Sequence, residues 1–195
     1  MTLPPLSLDS ATTALVLIDL QYGIVAMNVH PQSGSEVVAR ARRLADAFRA
    51  AHATVVLVAV GGLPDGKDVL APMADAAPPA AARPANWSTI VEELAPQPGD
   101  LRIAKRQWGA FYGTELDLQL RRRGIRTIVL AGISTNVGVE STARDAFERG
   151  YEQVFVADAM ASPSVEAHAN TLKYTFPRIG RTRTTDEVLA ALQTR

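Results

Sequence analysis

The sequence predicts a three-layer α/β fold, in which helices cover both faces of a buried sheet. Two observations carry that expectation. Four short runs are apolar at nearly every position and rich in Val, Ile and Leu, as suits strands buried on both faces of a parallel sheet. Segments with helical spacing lie between them, and strand–helix alternation along a whole chain belongs to this fold class.

The elements follow in order. Residues 14–20 form the first apolar run, closed by Asp19. Residues 35–51 place Val37, Val38, Ala41, Leu44, Ala45 and Phe48 on one stripe, which predicts an amphipathic helix. Residues 54–60 are a second strand, and residues 101–105 a third, less apolar one that closes at Lys105. Thr114 is placed to cap a helix with Glu115 and Asp117 in its first turn and Arg121, Arg122 and Arg123 ahead of Gly124. Acids first, bases last and a closing Gly suit the helix dipole, so the Arg triplet reads as a helix C-terminus rather than an anion patch. Residues 127–133 and 154–157 are two further strands, and residues 181–184 form a polar edge strand. Residues 164–176 and 185–192 read as helices. Ligands of such sheets bind beyond the carboxyl ends of the strands, which directs attention to Asp19, Lys105 and residues 134–138.

Residues 61–99 interrupt the alternation and hold seven of the twelve prolines. A connection of that length in a compact domain is expected to be a lid, a binding segment or an oligomer arm.

Composition narrows the function classes. A length of 195 residues suits one domain spanning 1–195, with 47% hydrophobic residues to build its core. Twenty acidic residues balance twenty basic ones, so a nucleic-acid partner is not expected. The chain has no cysteine, which excludes disulfides, thiolate metal sites and a cysteine nucleophile. No apolar run approaches the ~20 residues of a membrane span, and no basic n-region precedes the first run, so a cytoplasmic protein is expected.

Three local motifs have bland readings. Gly61 to Lys67 fits G-x-x-x-x-G-K after a strand, but Asp68 stands where a phosphate loop needs Ser or Thr, so the stretch reads as a surface turn. Gly132-Ile133-Ser134-Thr135-Asn136 lacks the last Gly of a nucleophile elbow. His30, His52 and His168 are scattered, giving neither a metal cluster nor an evident triad.

The distributed signal is stronger. Asp19-Leu20-Gln21, the block from Lys105 to Thr114 and the block from Gly132 to Ala146 each put polar groups at a strand's end. An acid and a Lys converging there would depress the acid's pKa and keep the Lys charged. A salt bridge that only ties two strand ends together would have the same composition. Trp108, Phe111 and Tyr112 either line an apolar pocket or pack against a neighbouring helix or subunit.

These blocks, D-x-Q, K-x-x-x-x-A-F-x-G-T and G-I-x-T-N-x-x-V-E-x-T-A-R-D-A, resemble the isochorismatase-like hydrolases over nearly the whole chain. The resemblance implies a six-stranded, mostly parallel sheet and a cis peptide before Ser134. It places the catalytic Asp at Asp19, the Lys at Lys105 and the family's nucleophilic Cys at Gly138. The amidase branch attacks a carbonyl with that thiolate, so its covalent route is excluded here. Nicotinamidases hold a metal through an Asp and several His after strand two, where this chain has none of the His, so neither metal nor organic cofactor is expected. Isochorismatases also carry Gly at the Cys position. There a carboxylic acid protonates an enolpyruvyl methylene and water adds to the oxocarbenium ion.

The reading is therefore a small-molecule hydrolase, a homo-oligomer by resemblance, acting on a vinyl ether or another small carboxylate. Asp19 serves as general acid or base, Lys105 as its electrostatic partner and Gly138 as a space-giving backbone donor. Gln21, Trp108, Phe111, Tyr112, Ser134, Thr135 and Asn136 are the expected substrate-side residues. The alternative is a catalytically idle member that binds an anionic metabolite or serves as an assembly subunit.

Overall fold

The computed structural model describes residues 4–76 and 83–193. The central sheet has six parallel strands: β1 (Thr13–Ile18), β2 (Thr54–Val60), β3 (Leu101–Lys105), β4 (Thr127–Ile133), β5 (Glu152–Ala161) and β6 (Arg181–Arg183). Their spatial order is β3-β2-β1-β4-β5-β6. The chain thus reverses direction across the sheet between β1 and β4, and the crevice at such a switch point is where open α/β sheets bind ligands.

Alternating side chains of each strand feed two cores. Leu15, Leu17, Val55, Leu57, Val129 and Ala131 meet α1 (Gly34–Ala50) through Val37, Ala41, Leu44 and Phe48. Val16, Ile18, Val56, Val58, Ile128 and Leu130 meet α2 (Leu116–Arg122) and α3 (Glu140–Glu148) on the other face through Leu116, Leu120, Ala143 and Ala146. Burial on both faces is why the strands read as continuous apolar runs.

The ends of elements depart from the sequence reading for local reasons. Ser33 and Glu36 form a reciprocal capping box that starts α1 at Gly34, a device that contributes about 1 kcal/mol. Thr114 is not the N-cap of α2; Glu115 is, while Thr114 Oγ1 accepts from the Leu116 amide at 3.2 Å. β5 is longer than its apolar run because the β4–β5 register shifts between Leu130 and Gly132, which accommodates the polar Asp158. Asp158 accepts from the amide and hydroxyl of Thr185, at the start of α5, the helix Thr185–Ala191 that follows α4 (Val165–Asn170).

α4 continues through a widened turn, Thr171–Thr175, to Phe176–Ile179. Gly61 to Lys67 opens no helix. Asp68 closes the stretch instead, accepting from the Leu63 amide at 2.7 Å and pairing with Arg106. Residues 77–82 of the proline-rich connection, including Pro78 and Pro79, lie outside the described residues. Among the described residues, no helix is long and apolar enough to cross a membrane.

Candidate active site

Strand register brings the site together. Ile18 pairs with both Val58 and Gly132, and Val60 pairs with Lys105. Asp19, Lys105 and the segment after β4 therefore emerge at the same end of adjacent strands. Gly132 permits the approach of β4 to β1: a Cβ there would lie 2.1 Å from the Ile18 carbonyl oxygen, and its φ is +129°. The Ile133–Ser134 peptide is cis, as the resemblance implied.

Asp19 leaves the strand with φ of 55°, a left-handed conformation that Asp tolerates better than most residues. Its amide still donates to the Val58 carbonyl at 2.9 Å. Its carboxylate is buried, with 5% of the residue exposed, and Oδ2 lies 2.8 Å from Lys105 Nζ. Lys105 is 1% exposed and also donates to the Trp108 carbonyl at 2.5 Å. Asp19 Oδ1 is buried and has no hydrogen-bond partner among the described residues.

Burial raises the Asp19 pKa from 3.8 to about 6, and the opposing pull of Lys105 is the smaller effect. The sequence reading expected a depressed pKa. It counted the cation but not the loss of water around the carboxylate. The result is a carboxyl that changes protonation close to neutral pH, with one oxygen tied to Lys105 and the other unpartnered.

Gly138 sits against this pair. A Cβ on it would lie 3.0 Å from Asp19 Oδ2, 3.0 Å from Ile18 Cγ2 and 3.2 Å from Lys105 Nζ. The space beside Gly138 is thus filled by the ion pair, not open as the sequence reading had it. Gly138 belongs to a widened helical turn, Thr135–Val139, that leads into α3. The amides of Val137 and Val139 both donate to the Ser134 carbonyl, at 3.1 and 3.2 Å.

The expected substrate-side residues divide. Ser134 is partly exposed at the head of the turn. Asn136 accepts from Ser162 Oγ at 2.6 Å through its Oδ1. Trp108 and Tyr112 are mostly exposed, on the loop that follows β3.

Burial turns three of the expected substrate-side residues inward. Gln21 is fully buried: its Oε1 accepts from the Val60 amide at 2.8 Å, and its Nε2 donates to the carbonyls of Val60 and Trp87 at 2.9 and 3.2 Å. It clamps the end of β2 and has no donor left for a substrate. Thr135 is likewise buried and bonded through Oγ1 to His168 Nδ1 at 2.8 Å. Phe111 turns into the core against Tyr151, with ring centroids 5.8 Å apart, and is 3% exposed. Gln21→Leu is accordingly expected to lower stability by about 1–3 kcal/mol, because it strands buried backbone groups. Urea unfolding checks this, and an unchanged midpoint would refute the clamp.

Two residues carry roles that the sequence analysis did not assign to them. His168 fastens the Gly138 turn to α4 through Thr135. Thr142, fully buried, donates to the Gly138 carbonyl at 2.7 Å and accepts from the Ala110 amide at 3.1 Å. The i,i+4 spacing of Gly138 and Thr142 was the available signal for the second; nothing local marked the first. A cleft of about 470 Å³ along β2 and β3, lined by Ala59, Ser88, Arg102 and Arg106 among others, does not reach Asp19.

The chain matches the isochorismatase domain over residues 13–187. It is 53% identical to the uncharacterized isochorismatase family protein YwoC of Bacillus subtilis (strain 168), over 94% of this chain and 96% of that protein. It is 35% identical to the ureidoacrylate amidohydrolase RutB of Agrobacterium fabrum, over 82% of each. The structure of an isochorismatase family protein from Burkholderia thailandensis superposes with a TM-score of 0.91 at 46% identity, covering 96% of this chain and 98% of that one. With the Asp–Lys pair, the cis peptide and the six-stranded sheet in place, the chain belongs to the isochorismatase family and is a hydrolase of that family.

Proposed function

We propose that this chain is a cytoplasmic, homo-oligomeric hydrolase of a small carboxylate substrate such as a vinyl ether, working by Asp19 acid–base chemistry without a nucleophilic side chain. The observation that carries the reading is Asp19 itself. Its Oδ1 is buried without a hydrogen-bond partner among the described residues, burial raises its pKa to about 6 against the pull of Lys105 and the Val60 amide, and the neighbouring position is a glycine. In a vinyl ether, protonated Asp19 delivers its proton to the terminal methylene carbon as the C=C π electrons form the new C–H bond. The resulting oxocarbenium ion takes up water, which loses a proton back to the carboxylate. The hemiketal then breaks its C–O bond as its hydroxyl proton is lost and the departing oxygen takes up a proton, releasing the alcohol and the keto acid. The Lys105 ammonium beside Oδ2 stabilises the carboxylate that delivery of the proton leaves, until the water proton restores the acid.

The test is turnover of a panel of enol ethers and small carboxylates, followed by a pH profile on the best substrate. With Asp19 as general acid, activity falls as pH rises through about 6; with Asp19 as general base, it falls as pH drops through the same value. Turnover is expected to survive iodoacetamide, since the chain has no cysteine, and to survive chelators. Loss of activity on either treatment, with the fold intact, sinks the reading. Saturable binding of carboxylates with no product from any of them assigns the chain instead to the idle, metabolite-binding class.

A further inference from the structure

We propose that Thr142 is a positioning residue that fixes the Lys105 ammonium against Asp19 by stapling the loop after β3 to the Gly138 turn. The inference rests on Asp19 being the acid–base group. The hydrogen-bond roles at Thr142 are unambiguous. A backbone amide can only donate, so Thr142 Oγ1 accepts from Ala110 N at 3.1 Å and its own proton goes to the Gly138 carbonyl at 2.7 Å. One buried hydroxyl therefore joins two segments that the sheet does not join.

One of those segments holds the Asp19 partner Lys105, and the other lies against the pair. The loop folds back on Lys105 through the bond from its Nζ to the Trp108 carbonyl, two residues before Ala110. Moving Ala110 moves Trp108, and with it the second anchor of the ammonium. The Gly138 Cα faces the same pair, with its Cβ position 3.2 Å from Nζ. Close contact confirms that the loop rests on α3: a Cβ on Gly109 would lie 3.3 Å from Asp145 Oδ2 and 3.7 Å from Ser141. Lys105 is the charged group that bears on Asp19 among the described residues, and its charge and hydrogen bond, ahead of the Val60 amide, pull Asp19 back from the effect of burial.

Thr142→Val keeps the shape and removes the hydroxyl; Thr142→Ser keeps the hydroxyl. The reading is the titration midpoint of the Asp19 carboxyl carbon, followed by NMR in the full chain, which needs no substrate. A midpoint raised by about half a pH unit or more in Thr142→Val, with a wild-type midpoint in Thr142→Ser, is the expected result, because an opposite charge close by lowers a carboxyl pKa by 1–3. Thr142→Ala provides the same comparison if the Val variant does not fold. A lower melting temperature with an unmoved midpoint overturns the proposal, leaving Thr142 a packing residue. So does failure of both hydroxyl-free variants to fold while Thr142→Ser folds. Should Asp19 prove catalytically idle, its midpoint still responds or does not, so the two readings fail separately.

Discussion

Asp19→Asn is expected to lower turnover at least ~10²-fold, the usual contribution of a general acid or base, in a protein that still folds. Asn preserves the shape of the side chain but neither ionises nor delivers a proton. The change also leaves the buried Lys105 ammonium without an anionic partner, facing a neutral carboxamide and the Trp108 carbonyl. Removing one partner of a buried pair costs about 3–5 kcal/mol in general. Here part of that is offset, because a carboxylate whose pKa has risen from 3.8 to about 6 already costs the fold about 3 kcal/mol to keep ionised. The net destabilisation is therefore smaller than for a relaxed ion pair.

Asp19→Asn combined with Lys105→Gln removes both charges and separates stability from catalysis. A single variant that melts lower yet turns over at the wild-type rate would reduce the pair to a structural tie. Lys105→Gln alone takes away the influence that lowers the Asp19 pKa, so the pH limb assigned to Asp19 should move upward from about 6.

Gly138→Cys is expected to create a thiol that alkylates roughly tenfold faster near neutral pH than an ordinary cysteine, whose pKa is about 8.5. The new side chain would sit beside the Lys105 ammonium, which lowers a thiol pKa, and beside Asp19, which can accept its proton. The contacts at 3.0 and 3.2 Å are tighter than ordinary packing, so the pair must shift slightly. A stability loss of about 1–3 kcal/mol should accompany the gain in reactivity. Asp19→Asn in the same background removes the base and should slow alkylation. A slow, ordinary thiol in both backgrounds would contradict the contact between Gly138 and the pair, and the assignment of all three positions would fall with it.

The fold was legible where local pattern and final environment agree. β1, β2 and β4 are apolar after an opening Thr because both faces are covered, so their environment is written into consecutive residues. α1 showed its buried stripe, and only its start, fixed by Ser33 and Glu36, was missed. β5 was read short because Asp158 breaks its run; the residue is accommodated by the start of α5, far away in sequence. The C-terminal helical segment runs past Phe176 because Pro177 falls in the first turn of its last piece, where a missing amide is tolerated.

The convergence of Asp19, Lys105 and Gly138 was legible as well. A strand's carboxyl end is a position the sequence marks, and Asp19, Lys105 and Gly138 each stand at or just beyond one. What tertiary structure alone decided is the state of each group. The Asp19 pKa is a balance between burial by whole layers and one cation 2.8 Å away, and burial is a sum over neighbours that no local pattern records. Gln21, Thr135 and Phe111 lie among the site's residues in sequence but are turned inward by the backbone that follows each strand, where loops have no periodicity to read. Sequence thus determined which residues gather at the switch point of the sheet. Packing determined which oxygen of Asp19 is left unpartnered, because that depends on distances set by every layer at once.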